Sequence, residues 1–117
     1  MATTYLSRTP SSASNRRTWT FSAWVKRSNI GVNVIFQQGI SGNYFKMNFQ
    51  NEYLRWRGVT SGTNQAYLTT NRVFRDTSAW YHIVARFDST NATAEDRMRL
   101  YINGVEETSF STDVNPP

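Results

Sequence analysis

The chain has 117 residues, 38% of them hydrophobic and 15% aromatic, with thirteen Lys and Arg against eight Asp and Glu for a net charge of +5. That length suits one domain able to bury its own core. The absence of cysteine excludes disulfides and thiolate metal sites. No apolar run approaches the roughly 20 residues of a membrane-spanning helix, and the start, MATTYLSRTP, lacks the charged-then-apolar order of a secretory signal. Eleven of the thirteen cations are Arg, the residue best suited to planar anions such as carboxylate, phosphate and sulfate. They are scattered rather than run together, unlike a nucleic-acid arm.

Short apolar-polar alternations separated by Asn, Gly, Ser and Thr predict an all-β protein. Strands are expected over 3–8, 17–27, 32–38, 43–50, 52–58, 65–70, 79–88, 97–103 and 105–111. TPSSASN (9–15) and GVTSGTN (58–64) read as loops, and NATAED (91–96) as a loop with at most one helical turn. VNPP ends the pattern, since consecutive prolines cannot donate to a ladder.

The stretch NYFKMNFQNEYLRWRG (43–58) carries Lys46, Arg55 and Arg57 among five aromatic side chains. With Gln50–Asn51 as a two-residue turn, Phe49 faces Glu52, Lys46 faces Arg55, Phe45 faces Trp56 and Tyr44 faces Arg57. Alternation then places Phe45, Met47, Phe49, Leu54 and Trp56 on one face. Tyr44, Lys46, Asn48, Tyr53, Arg55 and Arg57 share the other. A second hairpin pairs HIVARFD (82–88) with RMRLYIN (97–103), setting Phe87 against Met98, Ala85 against Leu100 and Ile83 against Ile102. The NG at 103–104 returns the chain through VEETSF. Hairpins with one apolar face must bury it against a second sheet, so the expected fold is an antiparallel β-sandwich spanning 1–117. Its expected core is Trp19, Phe21, Val25, Phe45, Met47, Leu54, Trp56, Ile83, Phe87, Leu100 and Ile102.

RRTWTFSAWVKRS (16–28), SAWYHIVARFD (78–88) and DRMRLYINGVEET (96–108), in that order and spacing, resemble the laminin-G-like, concanavalin A-like lectin/glucanase sandwich. The version they most resemble occurs in tail-fibre and other virion proteins of bacteriophages. The resemblance implies a jelly roll of two curved antiparallel sheets with a glycan-binding or adhesive role, in a virion or extracellular setting. It also implies more strands after NGV than this chain has. A fragment, a trimmed sandwich, or completion by another chain would each account for that. An unpaired edge near VEETSF, and with it a homo-oligomer or a larger virion assembly, is the expected consequence.

The residues weigh against catalysis. Glucanases of this architecture need two carboxylates roughly 5 Å apart for retention, and none of the eight acids forms an acid-x-acid pattern on a strand. His82 stands alone, opposite Asn103 and without an evident nucleophile. Calcium has a candidate site in DSTNATAED, where Asp88, Asn91 and Asp96, with Glu95 beside them, offer hard oxygen donors. Stacking of nucleic-acid bases needs exposed rings interleaved with Arg; here most rings fall on the packed side, and nucleic acid is not the expected partner. What remains is the polar face Tyr44, Lys46, Asn48, Tyr53, Arg55 and Arg57, where the cations suit an acidic group of a cell-surface glycan and a tyrosine suits the sugar ring. The alternative is a structural virion or assembly module without a glycan ligand.

Overall fold

A computed structural model describes residues 4–117. Nine strands are present among them: β1 Thr18–Lys26, β2 Asn33–Ile40, β3 Asn43–Gln50, β4 Tyr53–Thr60, β5 Thr63–Val73, β6 Trp80–Asp88, β7 Met98–Ile102, β8 Val105–Glu107 and β9 Phe110–Val114. A single 3-10 turn, Ala94–Asp96, sits where one helical turn was expected. Two antiparallel sheets form, one ordered β1-β6-β7-β8 and the other β2-β3-β4-β5-β9. The all-β sandwich expected from the alternation is the observed architecture.

Most strands fall where the pattern puts them, and four departures have physical reasons. Residues 4–8 carry no strand, although the segment 3–8 reads as one (Thr3 lies outside the described residues). GVTSGTN is not a loop. Ser61 and Gly62, both with positive φ (50° and 76°), make a two-residue turn that joins β4 to β5 directly. The expected strand 105–111 is two strands in different sheets, with Thr108 and Ser109 carrying the chain across from β8 to β9. Lastly, the β3–β4 hairpin turns at Asn51–Glu52 and not at Gln50–Asn51, with Asn51 taking the left-handed conformation at φ 53°.

That last change shifts the register by two residues. Lys46 pairs with Arg57 rather than Arg55, Asn48 with Arg55 rather than Tyr53, Met47 with Trp56, and Tyr44 with Val59 rather than Arg57. A shift of two preserves every face, because strand side chains repeat with period two. The second hairpin keeps the expected register throughout: Phe87 with Met98, Arg86 with Arg99, Ala85 with Leu100, Val84 with Tyr101 and Ile83 with Ile102. Asn103 and Gly104, at φ 52° and 80°, make its turn, the conformation that Asn-Gly adopts most cheaply.

The apolar faces meet in one cluster that includes Met47, Phe49, Leu54, Trp56, Leu68, Phe74, Ile83, Ala85, Phe87, Leu100 and Ile102. Trp19, Phe21, Val25 and Phe45 are partly buried against it. Trp19 on β1 connects the sheets. Its ring stacks on Phe87 at 5.3 Å and meets Trp56 edge-on at 5.7 Å and Phe45 at 5.8 Å. Phe45 lies over Gly58, where a Cβ would sit 2.8 Å from the ring. Glycine there is a packing requirement.

Trp56 is fully buried and its indole N–H has no hydrogen-bond partner. Trp56→Ala is expected to cost about 3–5 kcal/mol, as large-to-small core changes do. Trp56→Phe should cost clearly less, since it keeps a ring and removes the orphaned donor. Chemical denaturation of the two variants beside the parent checks the order.

Candidate functional site

The outer face of the β2-β3-β4-β5-β9 sheet is built by strand parity alone. Inward positions of β3 and β4 are taken by Met47, Phe49, Leu54 and Trp56. The intervening residues Tyr44, Lys46, Asn48, Tyr53, Arg55 and Arg57 are therefore turned outward together, as the alternation predicts. The observed register ranks them in rows. Gln37, Lys46, Arg57 and Tyr67 lie side by side across β2 to β5. Asn48, Arg55 and Thr69 form the next row. Tyr53 stands at the turn end, 41% exposed.

Rings hold the guanidinium groups in place. Arg57 lies over the Tyr44 ring at 5.4 Å and Arg55 over the Tyr67 ring at 5.2 Å, within the range of a cation–π attraction. Tyr67 belongs to this face and was not among the residues expected from sequence. Its parity in β5, between inward Ala66 and Leu68, is the signal that identifies it. Asn48 is different from its neighbours. It is 4% exposed and donates to the Phe49 carbonyl at 2.9 Å, so it shapes the face and offers little to a ligand.

The electrostatics of the face follow from where the acids go. Glu52 accepts two bonds from Arg75, at 2.8 and 2.9 Å; Glu107 pairs with Arg72 at 2.7 Å; Asp96 and Glu106 both meet Arg99. Strands β2 to β5 contain no Asp or Glu. Lys46, Arg55 and Arg57 have no ion-pair partner among the described residues. Burial and the adjacent Arg57 lower the affinity of Arg55 for its proton, with Tyr44 opposing, yet a guanidinium stays charged at any physiological pH. The outcome is a positive patch whose charges repel one another and whose counterions are mobile.

A cleft of about 540 Å3 adjoins this patch at Tyr44. Its floor is aromatic, from Trp19, Phe36 and Phe45, and its rim carries Arg16, Gln38, Asn43 and Thr60. Two hairpin turns are clipped together at one end, Gly62 N–H donating to the Gly42 carbonyl at 2.9 Å and Ser61 N–H to Asn43 Oδ1 at 3.1 Å. Apolar floor with a few polar rim groups is the usual make-up of a small-molecule site. No sequence pattern pointed to it, because Phe36, Tyr44 and Thr60 are brought together only by the pairing of β2, β3 and β4, and Arg16 only by the stacking of the other sheet against them.

The residues expected to hold calcium are engaged elsewhere. Asp88 Oδ1 accepts from the Thr90 N–H at 3.0 Å and the Thr90 hydroxyl at 2.6 Å, and its other oxygen faces Arg86 at 3.4 Å. Asn91 Oδ1 accepts from the Thr93 N–H at 2.9 Å, and Asp96 pairs with Arg99. No cluster of three or more His, Cys, Asp or Glu suited to a metal occurs among the described residues. The loop is shaped by its own hydrogen bonds.

His82 has a neighbour that the sequence did not reveal. Ser22 on β1 brings its hydroxyl to 3.0 Å from Nε2, and the Trp24 ring stacks on the imidazole at 4.9 Å. Trp24, in the first of the three segments that carry the family resemblance, is 64% exposed and lies outside the core. A Ser-His contact becomes a nucleophile system when a third group orients the imidazole. No side chain bonds Nδ1 among the described residues; the His82 backbone N–H goes to Asn103 Oδ1 at 2.9 Å.

Among known families, the one described as the concanavalin A-like lectin/glucanases superfamily matches residues 2–117. No curated protein and no solved structure matches the chain.

Hydrogen bonds from Thr90, its hydroxyl first and its backbone N–H next, hold the Asp88 carboxyl below the usual carboxylate range. A depressed native pKa stabilises the fold above the unfolded value, about 3.9, and that contribution is lost as pH falls through the native value. Thr90→Val removes the hydroxyl and should raise the Asp88 pKa toward the unfolded value. The variant should then lose less stability than the parent on acidification from pH 5 to pH 2. NMR titration of the Asp88 carboxyl, with melts at each pH, checks both parts.

Proposed function

The chain belongs to the concanavalin A-like lectin/glucanase superfamily, and from that premise we propose that it is a non-catalytic module binding an acidic glycan through the outer face of the β2–β5 sheet. The observation that carries this reading is the set of three unpaired cations, Lys46, Arg55 and Arg57, on a face without a carboxylate and with two of the cations held by tyrosine rings. A uronate, sulfate or phosphate group meets Arg57 and Lys46 across neighbouring strands, relieving their mutual repulsion. The attached sugar ring packs against Tyr44 or Tyr67, the rings that lie beside Arg57 and Arg55 on the same face.

Two features support a non-catalytic assignment. The carboxylates of Glu52, Asp96, Glu106 and Glu107 are each engaged by an arginine. Ser22 and His82 lack a third orienting group among the described contacts. The resemblance of the WTFSAWVK, WYHIVARFD and LYINGV segments to phage virion domains supports a role in adhesion on a virion or tail fibre. An assembly role without a glycan ligand is the second reading, favoured by the open edge of β1.

The double variant Arg55→Glu, Arg57→Glu tests the site. Both side chains point outward, so the melting temperature should change by only a few degrees. Binding to a uronate-rich polysaccharide should fall at least tenfold per reversed charge, about 1.4 kcal/mol each, and the parent's affinity should drop as salt screens the patch. Equal binding by parent and variant would remove this face from the function. Binding of neither, on acidic and neutral polysaccharides alike, would favour the assembly reading.

A further inference from the structure

One side of the sandwich leaves core-type side chains half in water. β1 and β2 are the outermost strands of their sheets there, and Trp19, Phe21, Val25, Ile35 and Phe36 are only partly buried. A cleft of about 540 Å3 opens at the β1 edge, lined by Phe21, Ala23, Val25, Ile35 and Phe49, with Val34 and Trp80 at its mouth. Val34 is 53% exposed and Trp80 58%. The opposite side is closed differently: β8 has only three residues, and the chain crosses from it straight into β9. The edge expected near VEETSF exists, but the uncovered apolar surface lies across the molecule from it.

β1 lacks the devices that normally blunt a sheet edge. It pairs with β6 over nine residues without a register shift, contains no proline, and carries its single charge, Lys26, at its end. A long, regular edge of this kind takes up an additional strand. The chain also holds a strand-like segment with nothing to pair with. Residues 4–8, Thr-Tyr-Leu-Ser-Arg, are unpaired, Tyr5 is 81% exposed and Leu6 is fully exposed. The root of that arm, Ser14, Asn15 and Arg16, already stands with Trp19 and Phe36 in the wall of the neighbouring cleft. The arm therefore leaves the sandwich on its open side.

We propose that the arm of each chain adds as a strand to the β1 edge of a second copy, exchanging arms in a closed dimer. The chemistry selects one register. With the arm antiparallel and Tyr5 opposite Ala23, the large ring enters the cleft at the smallest β1 side chain facing it, and Ser7 falls opposite the bulky Phe21. Leu6 then lies on the outer face beside exposed Trp24, and Arg8 points to solvent, away from Lys26. Any register one residue off drives Arg8 inward. In a single copy Tyr5 and Leu6 stay in water; exchange buries Tyr5, sets Leu6 beside Trp24, and covers the edge by the same surface on each partner, as a two-fold dimer requires.

Because the chain has no cysteine, an introduced pair reports the contact directly. Tyr5→Cys with Ala23→Cys, oxidised at tens of micromolar and checked for native β-structure, should run as a covalent dimer on a non-reducing gel. A bridge within one chain would show that the arm closes on its own β1, and the second-copy assignment falls. Absence of any bridge would overturn the docking altogether. Independently, Tyr5→Asp with Leu6→Asp alters only exposed residues, so folding is unaffected. Its mass by sedimentation should fall from twice 13.5 kDa to 13.5 kDa; a parent that is already monomeric at that concentration would also end the proposal.

Discussion

The contact of Trp19 with Phe87, Trp56 and Phe45 is the one on which the rest depends. Trp19 and Phe87 are register partners in one sheet, while Trp56 and Phe45 belong to the other. Offset and edge-on rings at these separations attract beyond their buried area. The sheets otherwise share no backbone pairing, so side-chain packing alone sets how they are stacked. Once Trp56 and Met47 are drawn inward, period-two geometry turns Arg55, Arg57 and Lys46 outward, and the positive face is a by-product of the core.

The charges are then divided by sheet. Arginines outside the β2–β4 strands consume the carboxylates: Arg72, Arg75, Arg86 and Arg99 each have an acidic partner. Exposed pairs such as Arg75–Glu52 contribute little stability individually, but they leave the net positive charge concentrated where acids are absent. Arg27 follows another route. It is buried, and its guanidinium donates to the carbonyls of Phe74 and Gly31 and to Asn33 Oδ1 while lying 4.4 Å over Phe49. Burial lowers its proton affinity, yet those carbonyl oxygens replace water well enough to keep the cation. It ties the β1–β2 loop to the chain just after β5 and lines one end of the open cleft.

The two sides of the sandwich have opposite characters. On the β8/β9 side the chain crosses between sheets and seals the core, leaving short strands with little free edge. On the β1/β2 side two long strands end their sheets without a covering element, and the rings behind them are only half-buried. The imbalance leaves two clefts along the same open flank, one lined by Trp19 and Phe36 and the other by Phe21 and Val25.

The sequence by itself determined the sheet faces. In HIVARFD and RMRLYIN the apolar residues alternate without a break, so the pairing, the turn at Asn103–Gly104 and the core residues Ile83, Phe87, Leu100 and Ile102 were all legible. In NYFKMNFQNEYLRWRG the alternation was equally clear, and every member of the polar face was assigned correctly. Its register was not, because a shift of two leaves each face intact and the hydrophobic pattern is blind to it; only the turn conformation at Asn51 distinguishes the two. The same alternation in TWTFSAWVK puts Trp19, Phe21 and Val25 inward and leaves Trp24 outward, as the structure has them. What tertiary structure alone decided are relations between strands distant in the chain: Ser22 against His82, the cleft joining Arg16 to Tyr44, and the split of VEETSF between two sheets. Periodicity reports which way a side chain points. It carries no information about which other strand lies opposite, and that is set by how two twisted sheets pack their rings together.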